Sequence, residues 1–168
     1  MRNFQKPGRS TVYSHKGMVA TSHPIASSIG LDILKRGGNA VDAAIAMAFS
    51  LPICEPQSTG LFGDVFALLK PCNSNVLTGL NGSGKAPAKI SAEILRSKNL
   101  SILPEDAVET ITMPGAVAAL ESLNKKFGTM DLSELVHPAV GYATNGIIIS
   151  PRVAFDWSHS YKNLKGSA

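Results

Sequence analysis

The sequence predicts an α+β fold in which several helices pack around one antiparallel pair of strands. Residues 40–51 form an alanine-rich segment that is apolar on nearly every side, which is typical of a buried helix. Residues 61–70 and 76–80 are apolar segments joined by a turn-forming stretch, which predicts a hairpin. Amphipathic helices are predicted at 116–127 and between Asp131 and Gly146. Strands and helices do not alternate, so the pattern does not favour a doubly wound parallel sheet.

The first elements are an arm, a strand and a helix. Residues 1–16 are polar and predict an N-terminal arm, while the apolar residues 17–21 predict a short strand. Ser22 is a suitable N-cap for the next helix, and Pro24 suits its first turn because a missing N–H costs nothing there. The glycine pair at 37–38 is expected to end this helix.

Local signals also set the expected bounds of the later elements. Asn39 or its neighbour is predicted to cap the buried helix, and Pro52 is predicted to end it. A short helix is expected after Pro87, and the alternation in residues 108–113 predicts another strand. A further helical stretch begins at Arg152, so residues 17–168 are interpreted as one domain, or part of one.

Composition excludes several classes of protein. A hydrophobic content of 44% and a charged content of 17% in 168 residues are typical of a globular chain and not of disorder. The net charge of +4 is spread along the sequence, whereas a nucleic-acid binder usually concentrates its basic residues. Cys54 and Cys72 are far apart, which disfavours a disulfide framework or a zinc site. With neither a secretory signal nor a membrane-spanning segment readable, the expected location is the cytoplasm.

No complete set of catalytic residues is visible. The sequence contains no G-x-S-x-G motif, no H-E-x-x-H motif and no cofactor-binding signature, so neither a metal nor a cofactor is expected. The four histidines are dispersed at positions 15, 23, 137 and 159. His23 is a conceivable catalytic group, but a histidine beside a proline at a helix start more often has a structural role.

Two glycine-bearing turns, at 60–64 and 82–85, are candidates for binding through the backbone. Glycines in such turns allow N–H groups to face a ligand, as an oxyanion hole requires. Gly79, Gly84 and Lys85 also have the spacing of a phosphate-binding loop, but Ala86 replaces its required Ser or Thr. A non-catalytic module that binds phosphate or a small molecule through 79–85 is therefore the alternative interpretation.

Several longer segments resemble the beginning of the gamma-glutamyltransferase family. The most specific is Gly-Gly-Asn-Ala-Val-Asp-Ala-Ala at 37–44. Related strings lie at 17–27, 55–60, 113–117 and 137–143, and the resemblance covers about residues 17 to 155 in order. It implies an N-terminal nucleophile hydrolase with a four-layer αββα sandwich, of which this chain would hold the first, incomplete part.

The resemblance also implies how such a protein works. The family is made as a proenzyme that cleaves itself before a Thr, whose hydroxyl and free amine then serve as nucleophile and base. That Thr belongs to the small subunit, so no catalytic residue is expected in this chain, and the fragment alone should be inactive. The expected partners are the rest of the proenzyme and a small amide substrate, glutathione-like or another acyl amide, with no nucleic acid or membrane.

The expected substrate-binding residues are Asn81, Gly82, Ser83 and Lys85. In typical relatives an Arg-Glu pair stands where this chain has Ser83 and Gly84, and the Arg binds the α-carboxylate of the substrate. A Ser cannot make that charged, bidentate contact. The Asn-Gly-Ser-Gly string at 81–84 resembles the acylase-like and oxamate-amidohydrolase-like branch of the family, and Lys85 is a candidate replacement charge in this chain.

Overall fold

The computed structural model describes residues 11–164 apart from residues 101, 105 and 106. This part of the chain contains six α-helices, a short 3-10 helix at Val108–Thr110 and two strands. The α-helices are α1 (Pro24–Lys35), α2 (Ala40–Cys54), α3 (Ala92–Ser97), α4 (Ala116–Phe127), α5 (Leu132–Asn145) and α6 (Pro151–Leu164). The strands are β1 (Val65–Leu69) and β2 (Thr78–Gly82).

Helix α2 is central, as predicted. It packs against α1, α4 and α5, and its residue Ile45 is 1% exposed. Ile33 of α1 and Leu135 of α5 are also fully buried beside it. Small side chains on α2 allow this close packing, because a helix with a wide apolar surface buries itself most completely among other helices.

Asn39 caps α2, as predicted. Its Oδ1 accepts the N–H groups of Val41 at 2.7 Å and Asp42 at 3.0 Å, while Asp42 Oδ2 accepts the N–H of Asn39 at 2.9 Å. This reciprocal capping box satisfies donors that the first turn would otherwise leave unpaired. The fully buried Asp42 also accepts the N–H of Thr129 at 3.0 Å and its hydroxyl at 2.6 Å, which ties α2 to the α4–α5 connection.

Two predicted helix bounds were wrong. The N-cap of α1 is His23, whose Nδ1 accepts the N–H of Ile25 at 3.3 Å, while the Ser22 hydroxyl donates to Glu55 instead. Pro52 lies inside α2 rather than at its end. A proline removes only one donor, and in the last turn the helix continues because the N–H of Glu55 still donates to Leu51 O at 2.7 Å.

The predicted hairpin is confirmed, with shifted strand bounds. β1 and β2 are antiparallel, with Val65 opposite Gly82 and Leu69 opposite Thr78. The inward face contacts α4, and its residues Val65, Ala67, Leu69 and Leu80 pack against the hydrophobic core. Residues 61–63 form a turn and do not extend β1.

The strands predicted at 17–21 and 108–113 are absent from the described structure. A strand requires a hydrogen-bonded neighbour, and the only ladder in the described residues joins β1 to β2. Residues 108–110 form the 3-10 helix instead, and the stretch from 111 to 115 is irregular. The helices predicted at 116–127 and up to Gly146 are confirmed. The arm at 1–16 lies mostly outside the described residues.

Candidate functional site

The end of β2 meets two irregular segments in front of α4. The N–H of Gly84 donates to the Asp64 carboxylate at 2.7 Å, and the N–H of Met113 donates to Lys85 O at 2.9 Å. Gly63 O accepts the N–H groups of Gly115 at 3.1 Å and of the next residue at 3.0 Å. The turn at 60–64 therefore holds both 82–85 and the start of α4 in place.

Glycine is required at two points of this junction. A Cβ on Gly82 would lie 2.4 Å from Ala119 Cβ and 2.7 Å from Val65 O. A Cβ on Gly84 would lie 2.2 Å from Met113 O. Since real Cβ atoms do not approach backbone oxygen so closely, larger residues at either position would separate β2 from its neighbours. A Cβ on Gly60 or Gly63 would meet no atom within 4 Å, so close approach requires glycine in the 82–85 turn and not in the 60–64 turn.

A cavity of about 520 Å³ opens at this junction. Its walls are the end of β2 with residues 83–85, the segment 113–115 and the first two turns of α4, including Ala118, Ala119 and Ser122. The N-cap of α4 is Gly115, which provides no side-chain acceptor. Among the described residues no acceptor pairs with the N–H groups of Val117 and Ala118. Such a helix start carries partial positive charge and favours an anion.

All four predicted substrate-binding residues line this cavity. Asn81 uses its Oδ1 to accept the N–H of Ser83 at 2.9 Å, so it shapes the turn, and Gly82 is buried. Ser83 and Lys85 are exposed, and Lys85 forms no ion pair with any described residue. A binding role for these residues stays a prediction.

Sequence reasoning selected the turn at 60–64, which includes Asp64, but missed the first turns of α4 as parts of the site. Nothing in the spacing of that turn showed that Asp64 would accept the N–H of Gly84. The 113–115 segment was noted only for its resemblance to family members. Conversely, residues 57–62 do not line the cavity, and Phe62 is 82% exposed.

The other candidate groups do not assemble into a site. Gly79 lies within β2, and no helix starts at Lys85, so the strand–loop–helix geometry of a phosphate loop is absent here. The described residues contain no group of three or more His, Cys, Asp or Glu placed to hold a metal, and no helix long and apolar enough to cross a membrane. Cys54 is buried, and burial together with the charge of Glu55 raises the pKa of its thiol, whereas Cys72 is exposed.

Solved structures share this arrangement of helices and hairpin. A cephalosporin acylase from Bacillus halodurans superposes with a TM-score of 0.90 at 42% identity, over 99% of this chain and 31% of the other. A gamma-glutamyltranspeptidase from Helicobacter pylori superposes with a TM-score of 0.83 at 35% identity, over 91% of this chain and 44% of the other. The predicted α+β class is confirmed, and the fold is that of the first part of an N-terminal nucleophile hydrolase.

The sequence comparisons identify the family. The family model described as "Gamma-glutamyltranspeptidase" matches residues 26–168, and the chain belongs to this family. The glutathione hydrolase proenzyme of Bacillus subtilis is 34% identical over 156 residues, which are 90% of this chain and 27% of that protein. The chain thus spans about a quarter of the length of this curated relative. The resemblance seen in the motifs is confirmed.

Proposed function

We propose that this chain forms one wall of the acyl-binding pocket in a gamma-glutamyltransferase-like proenzyme. The whole enzyme would hydrolyse or transfer a gamma-glutamyl or related acyl group from an amide. The observation that carries the proposal is the cavity of about 520 Å³ bounded by the end of β2, residues 83–85 and the uncapped start of α4. It supports binding rather than chemistry, because among the described residues neither hydroxyl at its walls, Ser83 or Ser122, is hydrogen-bonded to Lys85, and that of Ser122 donates to Ala118 O instead.

The attacking group in this proposal is a Thr outside these 168 residues, exposed when the proenzyme cleaves itself. Its amine would take the proton from its own hydroxyl as the hydroxyl oxygen attacks the amide carbonyl. The amide C–N bond would then break, the leaving amine would receive that proton, and the acyl group would remain bound to the Thr oxygen as an acyl-enzyme. The cavity described here would orient the acyl group. Holding the reacting groups in register contributes a large part of the rate enhancement in such reactions.

The charge at the cavity favours an acyl group that carries a carboxylate. Lys85 is exposed and lines the cavity, as does Ala118, whose N–H has no acceptor among the described residues. Ser83 offers only a hydroxyl where an Arg would make a bidentate contact, so the carboxylate would be held more weakly and with less geometric restriction. This supports acyl donors beyond gamma-glutamyl compounds, in line with the cephalosporin acylase among the similar structures.

The full-length protein tests the proposed activity. We expect it to cleave into two subunits and then to release amines from gamma-glutamyl or other acyl amides. A protein that remains a single chain and hydrolyses neither class of amide would contradict the proposal.

Lys85→Ala in the full-length protein tests the proposed pocket. We expect KM for a carboxylate-bearing acyl donor to rise about fivefold, since a single exposed charge contact contributes up to about 1 kcal/mol. KM for an uncharged acyl donor should remain unchanged. Lys89→Ala is the matched control, because Lys89 is exposed and does not line this cavity. Equal losses for both donors would show that Lys85 does not act on the carboxylate.

A further inference from the structure

Two buried polar atoms near the start of α1 have no hydrogen-bond partner among the described residues. They are Nε2 of His23 and Oε1 of Gln57. His23 is 5% exposed. Buried polar groups in folded proteins are nearly always paired, and an unpaired one costs free energy. Both atoms lie outside the cavity described above.

The capping contact fixes the proton on the His23 ring. The N–H of Ile25 donates to Nδ1 at 3.3 Å, so Nδ1 presents a lone pair. A neutral imidazole then carries its single proton on Nε2. His23 therefore has an unused donor, and Gln57 has an unused acceptor, so the two groups are complementary.

A contact between neighbouring residues brings together the two chain segments that carry these groups. The Ser22 hydroxyl donates to the Glu55 carboxylate. His23 directly follows Ser22, and Gln57 lies two residues after Glu55, with about 3.8 Å between successive Cα atoms. The N–H groups of the two residues after Gln57 both donate to Glu55 O, at 2.9 and 3.1 Å, so the chain turns tightly and keeps Gln57 beside Glu55.

The backbone of His23 is also fixed. Its carbonyl accepts the hydroxyl of Thr21 at 2.7 Å and the N–H of Ser27 at 3.1 Å. An imidazole held at both its backbone and Nδ1 has little freedom to turn Nε2 toward water.

We propose that a single buried water links the Nε2–H of His23 to the side-chain oxygen of Gln57 by accepting one hydrogen bond and donating the other. The link anchors the start of the 57–64 segment, whose other end accepts the N–H groups of Gly84, Gly115 and Ala116 at the cavity wall. His23 and Gln57 are thus positioning residues for the cavity. Their effect on substrate binding rests on the proposed function, whereas the link itself does not.

Unfolding of the full-length protein tests the link through His23→Asn, Gln57→Leu and the double variant. Asn retains an acceptor for the helix cap but has no group equivalent to Nε2–H, and Leu retains the size of Gln without its polar atoms. If the link exists, each single change leaves a buried partner unpaired and lowers stability. The double variant should then be more stable than the sum of the single effects predicts, by about tenfold in the unfolding equilibrium constant.

Two results of the unfolding experiment would contradict the link between His23 and Gln57. If Gln57 Oε1 has no partner, replacing it with an apolar group of similar size leaves stability unchanged or raises it. Additive effects of the two changes, or a stabilising Gln57→Leu, would overturn the link.

Steady-state kinetics on the same proteins test the positioning role. We expect Gln57→Leu to raise KM severalfold at a temperature well below unfolding. The control is Ile33→Val, which removes one buried methyl group from α1 and should leave KM unchanged while lowering stability. Equal KM values in both variants would overturn the positioning role. A wild-type protein without amide-cleaving activity would overturn the proposed function, while the unfolding experiment would still decide whether the link exists.

Discussion

Helix α2 and strand β1 are both apolar segments, but the described chain encloses only the first. Helix α2 has neighbours on several sides, and Ile45 at its centre is 1% exposed. Strand β1 partly buries one face against the core, while Phe66 and Leu68 on its other face are 67% and 81% exposed. An antiparallel sheet that leaves one face in water usually has polar residues on that face. The outer face of β1 is apolar instead, and no described residues form a layer over it.

Truncation of a side chain in the enclosed core should have the largest effect on the stability of the protein. Ile45→Ala in the full-length protein is expected to lower the free energy of unfolding by about 2–5 kcal/mol, because it removes buried methyl groups and leaves a cavity. Denaturant unfolding monitored by circular dichroism measures this change. A loss below about 1 kcal/mol would mean that α2 is less tightly packed than the structure shows.

Loss of the charge on Asp42 should have an intermediate effect. Burial raises the pKa of this carboxyl, but hydrogen bonds from Thr129, Asn39 and Met130 outweigh burial and hold the pKa below its ordinary value. Asp42→Asn is expected to cost about 2 kcal/mol, since hydrogen bonds to a charged acceptor are among the stronger ones.

The pH dependence of the same variant has a defined sign. Because folding lowers the pKa of Asp42, its stabilising contribution is complete above the unfolded pKa of about 4 and is lost as pH falls toward the lower folded pKa. The wild-type protein should therefore lose more stability than Asp42→Asn on acidification from pH 6 to pH 3. Parallel stability curves for the two proteins would show that the carboxylate does not contribute in this way.

Changes on the exposed face of the hairpin should have the smallest effect on the 168-residue chain alone. Leu68→Ser is expected to change its stability by less than about 0.5 kcal/mol, because the side chain makes few contacts there. The isolated chain should nevertheless self-associate through this apolar face, and the variant should do so less. Light scattering of both chains measures the difference. A monodisperse wild-type chain that melts cooperatively would contradict the expectation.

Features decided by neighbouring residues could be predicted from the sequence. The Asn39 cap, the alanine-rich α2, the hairpin and the ends of α4 and α5 follow from local propensity and periodicity, and all are observed. Features that depend on distant partners could not be predicted. Residues 108–113 alternate like a strand, but strand formation requires a neighbour that the pattern does not specify.

The candidate site was predicted only in part for the same reason. Gly82, Ser83 and Lys85 could be selected because glycine spacing and charge are visible in the sequence. The contribution of Asp64 depends on an N–H group twenty residues away, and local pattern carries no information about that contact. The sequence predicted Ser22 as the N-cap of α1, but the observed N-cap is His23, because the Ser22 hydroxyl is hydrogen-bonded to the distant Glu55.

The two cysteines give this chain a built-in attachment point for a spectroscopic label. Cys72 sits in the solvent-facing bend between β1 and β2, whereas Cys54 is inaccessible and its thiolate is suppressed. Maleimide chemistry at neutral pH will therefore modify the folded 168-residue chain at a single place, without mutagenesis. A dye placed there lies four residues along the chain from Leu68, so its emission would report when another layer of protein covers that end of the hairpin.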